Sequence, residues 1–145
     1  MTRKLLPDIA VFLFIVLFVY AALTKLLDYE KFAIQLGQSP MLTRHAAIIA
    51  WAVPVSEFAL SILLIIPGTR VAGLYGSLFI MVMFTAYIVL ASHFSDYVPC
   101  SCGGVLEGMS WTQHLIFNVI FVLLGLTAIV LHPPNHGTHS SFVKP

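Results

Sequence analysis

Four long apolar stretches dominate this sequence and constrain its fold more than any other feature. They cover residues 9–27, 46–66, 71–91 and 111–131. A helix needs about 20 apolar residues to cross roughly 30 Å of hydrocarbon, and each stretch is close to that length. Because the bilayer core offers no water to backbone amides, such stretches must be helical. The sequence therefore predicts an all-α fold, a polytopic bundle of four transmembrane helices.

The composition supports a membrane protein and excludes two other classes. Hydrophobic residues make up 59 % of the 145 residues and charged residues only 9 %, and the mean hydropathy is +0.97. A water-soluble fold cannot bury that much apolar surface. A net charge of +1 gives no basic field that attracts nucleic acid. The expected partner is the lipid bilayer, and no nucleic acid is expected.

Turn and cap signals divide the chain into a transmembrane domain, residues 1–131, and a tail, residues 132–145. Ser110 and Gln113 form a capping-box pattern, which predicts the start of the fourth helix. The segment before it, residues 96–110, is predicted to be a loop. The tail contains too few apolar residues to fold, so we expect it to be mobile.

Basic residues near helix ends indicate the orientation in the membrane. Four of them lie on the side of the membrane that carries the termini: Arg3, Lys4, Arg70 and Lys144. Three lie on the other side: Lys25, Lys31 and Arg44. This favours cytoplasmic termini in a bacterial inner membrane. The loop 96–110 would then be periplasmic, on the side where disulfides persist.

That loop contains the only two cysteines, Cys100 and Cys102. Thiols two residues apart can close only a small, strained disulfide. Strained, exposed disulfides are readily reduced, so the pair suits electron transfer better than holding a fold together. An inert disulfide and a pair with no special role remain alternatives. So does a metal site, in which His93 and His114 would join the two cysteines as ligands.

Polar residues inside the apolar stretches are costly in a membrane and commonly face a bundle interior or cavity. Glu57 is the outlier, because it lies about 16 Å into the second stretch at 1.5 Å per residue. Tyr20, His114 and Asn118 are expected to meet it in a wet pocket that could hold a quinone or carry protons. Packing between helices is the simpler alternative for these residues. Lys25, near a helix end, is interpreted as an anchor that reaches the membrane surface.

The sequence resembles the MauE and DoxX-like family of redox-associated membrane proteins over residues 5–131. The resemblance is carried by four segments and one further residue: Tyr20 to Leu26, Val53 to Glu57, Cys100 to Gly104, Trp111 to His114, and Asn118. It implies four helices and a periplasmic thioredoxin-like partner. The helix plan is also similar to that of quinone-linked disulfide-forming proteins, which carry a second cysteine pair that this sequence lacks.

These features lead to the hypothesis of a membrane thiol-disulfide redox protein, an oxidoreductase. Cys100 and Cys102 would exchange electrons with the thioredoxin-like partner, with a quinone as candidate second station. A non-catalytic subunit or scaffold of a larger membrane complex is one alternative. A metal or small-solute carrier is another. Fold alone does not choose among them.

Overall fold

The computed structural model describes residues 2–39, 41–94 and 110–132. This part of the chain forms five α-helices and one short 3₁₀ helix. In chain order they are α1 (Thr2–Leu27), α2 (Tyr29–Gln38), the 3₁₀ helix (Thr43–His45), α3 (Ala46–Ile65), α4 (Arg70–Phe94) and α5 (Trp111–Leu131). Cys100 and Cys102, the rest of the predicted loop up to residue 109, and the tail from residue 133 lie outside the described residues.

Four helical segments are long and apolar enough to cross a membrane, which confirms the predicted four-helix membrane bundle. They are Leu5–Leu27, Thr43–Ile65, Arg70–His93 and Thr112–Leu131. Only 22–33 % of the residues in their most apolar windows are buried inside the protein. Their outer faces therefore expose the apolar side chains that lipid would cover.

The four spans pack in a ring, in which α1 contacts α3 and α5, and α4 contacts the same two helices. A core of buried side chains fills the centre, including Phe14, Phe18, Leu64, Leu74 and Met81. Because successive spans run in opposite directions, the end of α1, the start of α3, the end of α4 and the start of α5 meet at one end. We call it the α2 end, since α2 lies there.

The start of α5 follows the predicted capping box. The Gln113 backbone N–H donates to Ser110 Oγ at 3.4 Å, and the Ser110 N–H donates to Gln113 Oε1 at 2.9 Å. These two bonds satisfy amides that the first turn of a helix leaves without partners. Helices α1 and α4 extend beyond their predicted bounds, to Thr2 and to Phe94.

Helix α2 was not expected, since the sequence interpretation placed no helix between residues 27 and 46. It buries Phe32 and Leu36 beside Ala50 of α3, and their spacing of four residues puts both on one helix face. With 10 residues, α2 is too short to cross a bilayer. Tyr87 of α4 donates a hydrogen bond to Ser39 Oγ at 3.0 Å, which ties the end of α2 to the bundle.

Two glycines set the spacing between α3 and α4 at the end opposite α2. A Cβ on Gly73 would lie 3.0 Å from the backbone nitrogen of Leu64, and a Cβ on Gly76 would lie 2.5 Å from Leu60 Cδ2. At Gly73 the neighbouring atoms include backbone, which cannot rotate away, so a side chain there would push the helices apart, whereas at Gly76 the Leu60 side chain would have to move. Toward the α2 end, the same two helices line a cavity instead.

Candidate functional site

A buried ion pair joins α1 to α3 near the α2 end. Lys25 Nζ lies 2.7 Å from Glu57 Oε1, and the two side chains are only 3 % and 1 % exposed. The ammonium also donates to the carbonyl of Ala21 at 3.5 Å. Charges buried this deeply persist in proteins when they are paired and hydrogen-bonded. The interpretation of Lys25 as an anchor at the membrane surface was therefore wrong.

The sequence carries a signal for the inward position of Lys25 that the interpretation missed. Phe14, Phe18, Ala21 and Lys25 are spaced four, three and four residues apart, and all four are buried. This spacing places them on one face of α1. Lys25 therefore continues the stripe of core residues, and only its position near the helix end suggested the membrane surface.

Glu57 reaches the same point from the buried face of α3, which also carries Ala50 and Pro54. Pro54, one turn before Glu57, has no backbone N–H. The Ala50 carbonyl, which such an N–H would normally reach in a helix, therefore lacks its usual donor. Glu57 is buried within the span Thr43–Ile65, and its depth in the bilayer stays a prediction. Its partner, Lys25, was not predicted.

His114 and Asn118, one turn apart on α5, complete a polar cluster with the ion pair. They are 2 % and 3 % exposed. Within the described part of the chain, four buried atoms have no hydrogen-bond partner: Glu57 Oε2, both ring nitrogens of His114, and Asn118 Nδ2. A buried polar atom without a partner costs about 1–3 kcal/mol. Such a cluster is typical of a site that receives water or a ligand.

A small cavity of about 30 Å³ lies between these side chains. Lys25, Glu57, His114 and Asn118 all line it. Its size is that of a buried water, and apart from these four polar side chains its walls are apolar, including Leu17, Phe18 and Met81. A quinone ring does not fit in this volume.

A second, larger cavity of about 360 Å³ begins where the small one ends. Lys25 and His114 line both cavities, and the walls of the larger one come mainly from α2, α3 and α4. Lys25 Nζ lies 5.9 Å from the ring centroids of Phe32 and Phe84. This distance is within the range of a cation–π interaction. Lys25 and His114 therefore lie at the junction of the two cavities.

The structure brings together three of the four residues predicted for the pocket. Glu57, His114 and Asn118 line the small cavity, whereas Tyr20 lines neither cavity. Tyr20 is 39 % exposed, because it precedes Ala21 on α1 and therefore points about 100° away from the buried stripe. The predicted pocket is thus corrected by exchanging Tyr20 for Lys25.

The alternative metal site is only partly visible. His93, in the last turn of α4, is exposed, and His114 is buried. Within residues 2–39, 41–94 and 110–132, no group of three or more His, Cys, Asp or Glu side chains could hold a metal ion. Cys100 and Cys102 lie outside these ranges, so the four-ligand site stays a prediction. By chain connectivity, the segment with both cysteines starts and ends at the α2 end.

Comparisons with known proteins agree with this architecture. No curated protein and no solved structure matches the chain. A family model does match, over residues 3–131, and its description is methylamine utilisation protein MauE. The matched residues include all four spans, and the match does not extend to the DoxX-like grouping, which stays a prediction. The chain is a multi-pass membrane protein and belongs to the MauE family.

Proposed function

We propose that this MauE-family protein is a membrane thiol-disulfide oxidoreductase, with Cys100 and Cys102 as its redox pair. The observation that supports this most is the buried polar cluster of Lys25, Glu57, His114 and Asn118. It extends from Glu57, near the middle of α3, toward the α2 end, where the cysteine segment leaves the bundle and returns to it. Oxidising two thiols releases two protons, and Glu57 and His114 are groups that can accept and pass on protons.

The exchange with a thioredoxin-like partner follows thiol-disulfide chemistry. A thiolate of the partner attacks the Cys100–Cys102 disulfide and forms a mixed disulfide, while the other cysteine leaves as a thiolate. The partner's second thiolate then attacks the mixed disulfide and completes the partner's own disulfide. Two electrons have passed to Cys100 and Cys102. A membrane quinone is the proposed acceptor that restores their disulfide, taking up two electrons and two protons to become a quinol.

The orientation proposed for this exchange places the cysteine segment in the periplasm and the termini in the cytoplasm of an inner membrane. The burial of Lys25 supports it, because a lysine paired inside the bundle does not contribute charge at the membrane surface. Without Lys25, the count of basic residues is four on the membrane side that carries the N-terminus and two on the other side. The two are Lys31 and Arg44.

Thiol trapping in native membranes tests the proposal. The full-length protein is equilibrated across a dithiothreitol series and then treated with a membrane-impermeant alkylating reagent. We expect a reversible pair that reacts from outside, with a potential above the roughly −300 mV of structural disulfides. Cysteines that never oxidise, or that react only after lysis, would contradict the proposal.

Matched variants separate a redox role from a scaffold role. Cys100→Ser and Cys102→Ser should each either hold the thioredoxin-like partner in a lasting mixed disulfide or lose thiol-disulfide exchange with it. Each variant should accumulate in the membrane at the wild-type level. If the double variant Cys100→Ser/Cys102→Ser supports full oxidation of the partner, the cysteines do not carry electrons and the scaffold alternative is favoured.

A further inference from the structure

The larger cavity lies between α3 and α4, on the side of their contact that is nearer the α2 end. The two helices touch at Gly73 and Gly76 and line the cavity further toward the α2 end. Helix α2 closes one side of this space with Phe32 and Leu36. At about 360 Å³, the cavity falls within the range of small-molecule sites in proteins, about 300–1,000 Å³.

The opening of this cavity faces the membrane. Phe79 and Met83 of α4 contribute to its wall and are 65 % and 55 % exposed. Both lie inside the span Arg70–His93, so their exposed surfaces contact lipid. A ligand of this site would therefore enter from the bilayer and must itself be soluble in lipid.

The inner end of the cavity is polar, in contrast to its walls. It is formed by Lys25 and His114, which are 3 % and 2 % exposed. Neither ring nitrogen of His114 has a partner among the described residues. A neutral imidazole carries one N–H donor, and an ammonium carries three, of which Glu57 and Ala21 accept two. Donors at this end can therefore bind an oxygen acceptor.

The ion pair favours a neutral ligand. Lys25 lines the cavity and is already paired with Glu57 at 2.7 Å, so an anionic ligand such as a fatty-acid carboxylate would compete with Glu57 for the ammonium. A neutral carbonyl oxygen can accept a hydrogen bond without breaking that pair. Aromatic rings of Phe32, Phe84 and Tyr87 line the walls, and flat rings stack well on such side chains.

We propose that the cavity between α3 and α4 is a quinone site, with a ring carbonyl hydrogen-bonded by Lys25 or His114 and the apolar tail directed between Phe79 and Met83 toward lipid. The identity of the ligand as electron acceptor rests on the proposed function, but its binding does not. The site lies beside, and not within, the polar pocket expected from the sequence. His114, which lines both cavities, connects the ligand to the proton-carrying cluster.

Photolabelling tests the site directly. The full-length protein is reconstituted into quinone-free phosphatidylcholine nanodiscs and labelled with a short-chain azidoquinone. Unlabelled ubiquinone with one isoprenoid unit serves as competitor. We expect saturable labelling of α2 and α4 that the competitor removes. Labelling that is not competed, or that falls on outer faces of all spans alike, would overturn the proposal. Displacement by oleate but not by ubiquinone would instead show a fatty-acid site.

Two substitutions on α3 provide a matched pair. Val53 lines the cavity, whereas Val55 is 58 % exposed on the outer face. Val53→Phe should fill the cavity and weaken quinone binding about tenfold, while Val55→Phe should leave the affinity unchanged. Equal affinities of the two variants, each folded by circular dichroism, would contradict the proposal.

Substitutions of His114 test the polar end. His114→Leu should weaken binding roughly fivefold, as expected for one lost hydrogen bond, and His114→Gln should restore part of the affinity because its amide can donate. Identical affinities for both variants and the wild type would remove His114 from the site. Measuring binding in Cys100→Ser/Cys102→Ser separates the two proposals, because the quinone should bind there even if thiol exchange is lost or was never present.

Discussion

At the end where α3 leads into α4, these two helices touch at glycines. The ion pair at this end joins Arg70 Nη1 to Asp8 Oδ1 at 3.2 Å. It is exposed, since the two side chains are 29 % and 64 % exposed. At the α2 end the helices enclose two cavities, and the ion pair there, between Lys25 and Glu57, is buried. The two pairs are chemically alike, but their surroundings differ.

This difference decides where α3 and α4 leave space for a ligand between them. Close contact at Gly73 and Gly76 leaves no such space between the two helices at that end. The α2 end has open space and keeps polar atoms without protein partners. An exposed ion pair contributes little to stability, since water competes for both charges. Breaking a buried pair leaves a charge without compensation.

The largest effect should come from breaking the buried pair. Lys25→Met leaves the Glu57 carboxylate without its cation and should lower the free energy of unfolding by about 3–5 kcal/mol. Denaturant titration in mixed micelles measures the loss. The double variant Lys25→Met/Glu57→Met removes both charges at similar volume and should regain most of the stability. Equal losses in the single and double variants would show that the charge is not what matters.

The next largest effect should come from adding a side chain where α3 and α4 touch, at the end opposite α2. Gly73→Ala places a methyl group 3.0 Å from backbone of α3, so the helices must separate, at a cost of about 1–3 kcal/mol. Gly37→Ala in α2 is the control, because a Cβ there meets nothing within 4 Å. It should change stability by less than about 1 kcal/mol. Similar losses for both would contradict the contrast between the two ends.

A smaller effect is expected where α2 is tied to the bundle. Tyr87→Phe removes the donor to Ser39 Oγ, which is worth about 1 kcal/mol. Hydrogen exchange should quicken in α2 while α1 and α3 keep their protection. Tyr75→Phe, at a tyrosine that is 58 % exposed on the same helix, should leave exchange in α2 as it is. Uniform quickening in all helices would show a global rather than a local effect.

The smallest effect should come from the exposed pair. Asp8→Asn removes its negative charge while Arg70 Nε still donates to the Leu64 carbonyl. The loss should stay below about 1 kcal/mol and shrink further with added salt, because exposed charges are screened. A loss as large as that of Lys25→Met would show that burial is not what distinguishes the two pairs.

Much of the fold could be predicted because the bilayer imposes simple demands on sequence. The number of spans follows from the lengths of the apolar stretches, and the start of α5 follows from Ser110 and Gln113, whose side chains act within one turn. Helix α2 was not predicted because ten residues are too few to cross a bilayer, although Phe32 and Leu36 have the spacing of one helix face. So short a helix is stabilised mainly by packing on α3 and not by the helix propensity of its residues.

The candidate site divides in the same way. Span length and helical spacing were enough to place Glu57 near the middle of its span and His114 and Asn118 toward the start of theirs. Helical spacing with Phe14 and Phe18 also carries the inward direction of Lys25, but the tertiary structure was needed to show that Glu57 is its partner and that a large cavity lies between α3 and α4. These outcomes depend on how far apart neighbouring helices lie, and that distance is set by contacts such as those of Gly73 and Gly76 between residues remote in sequence.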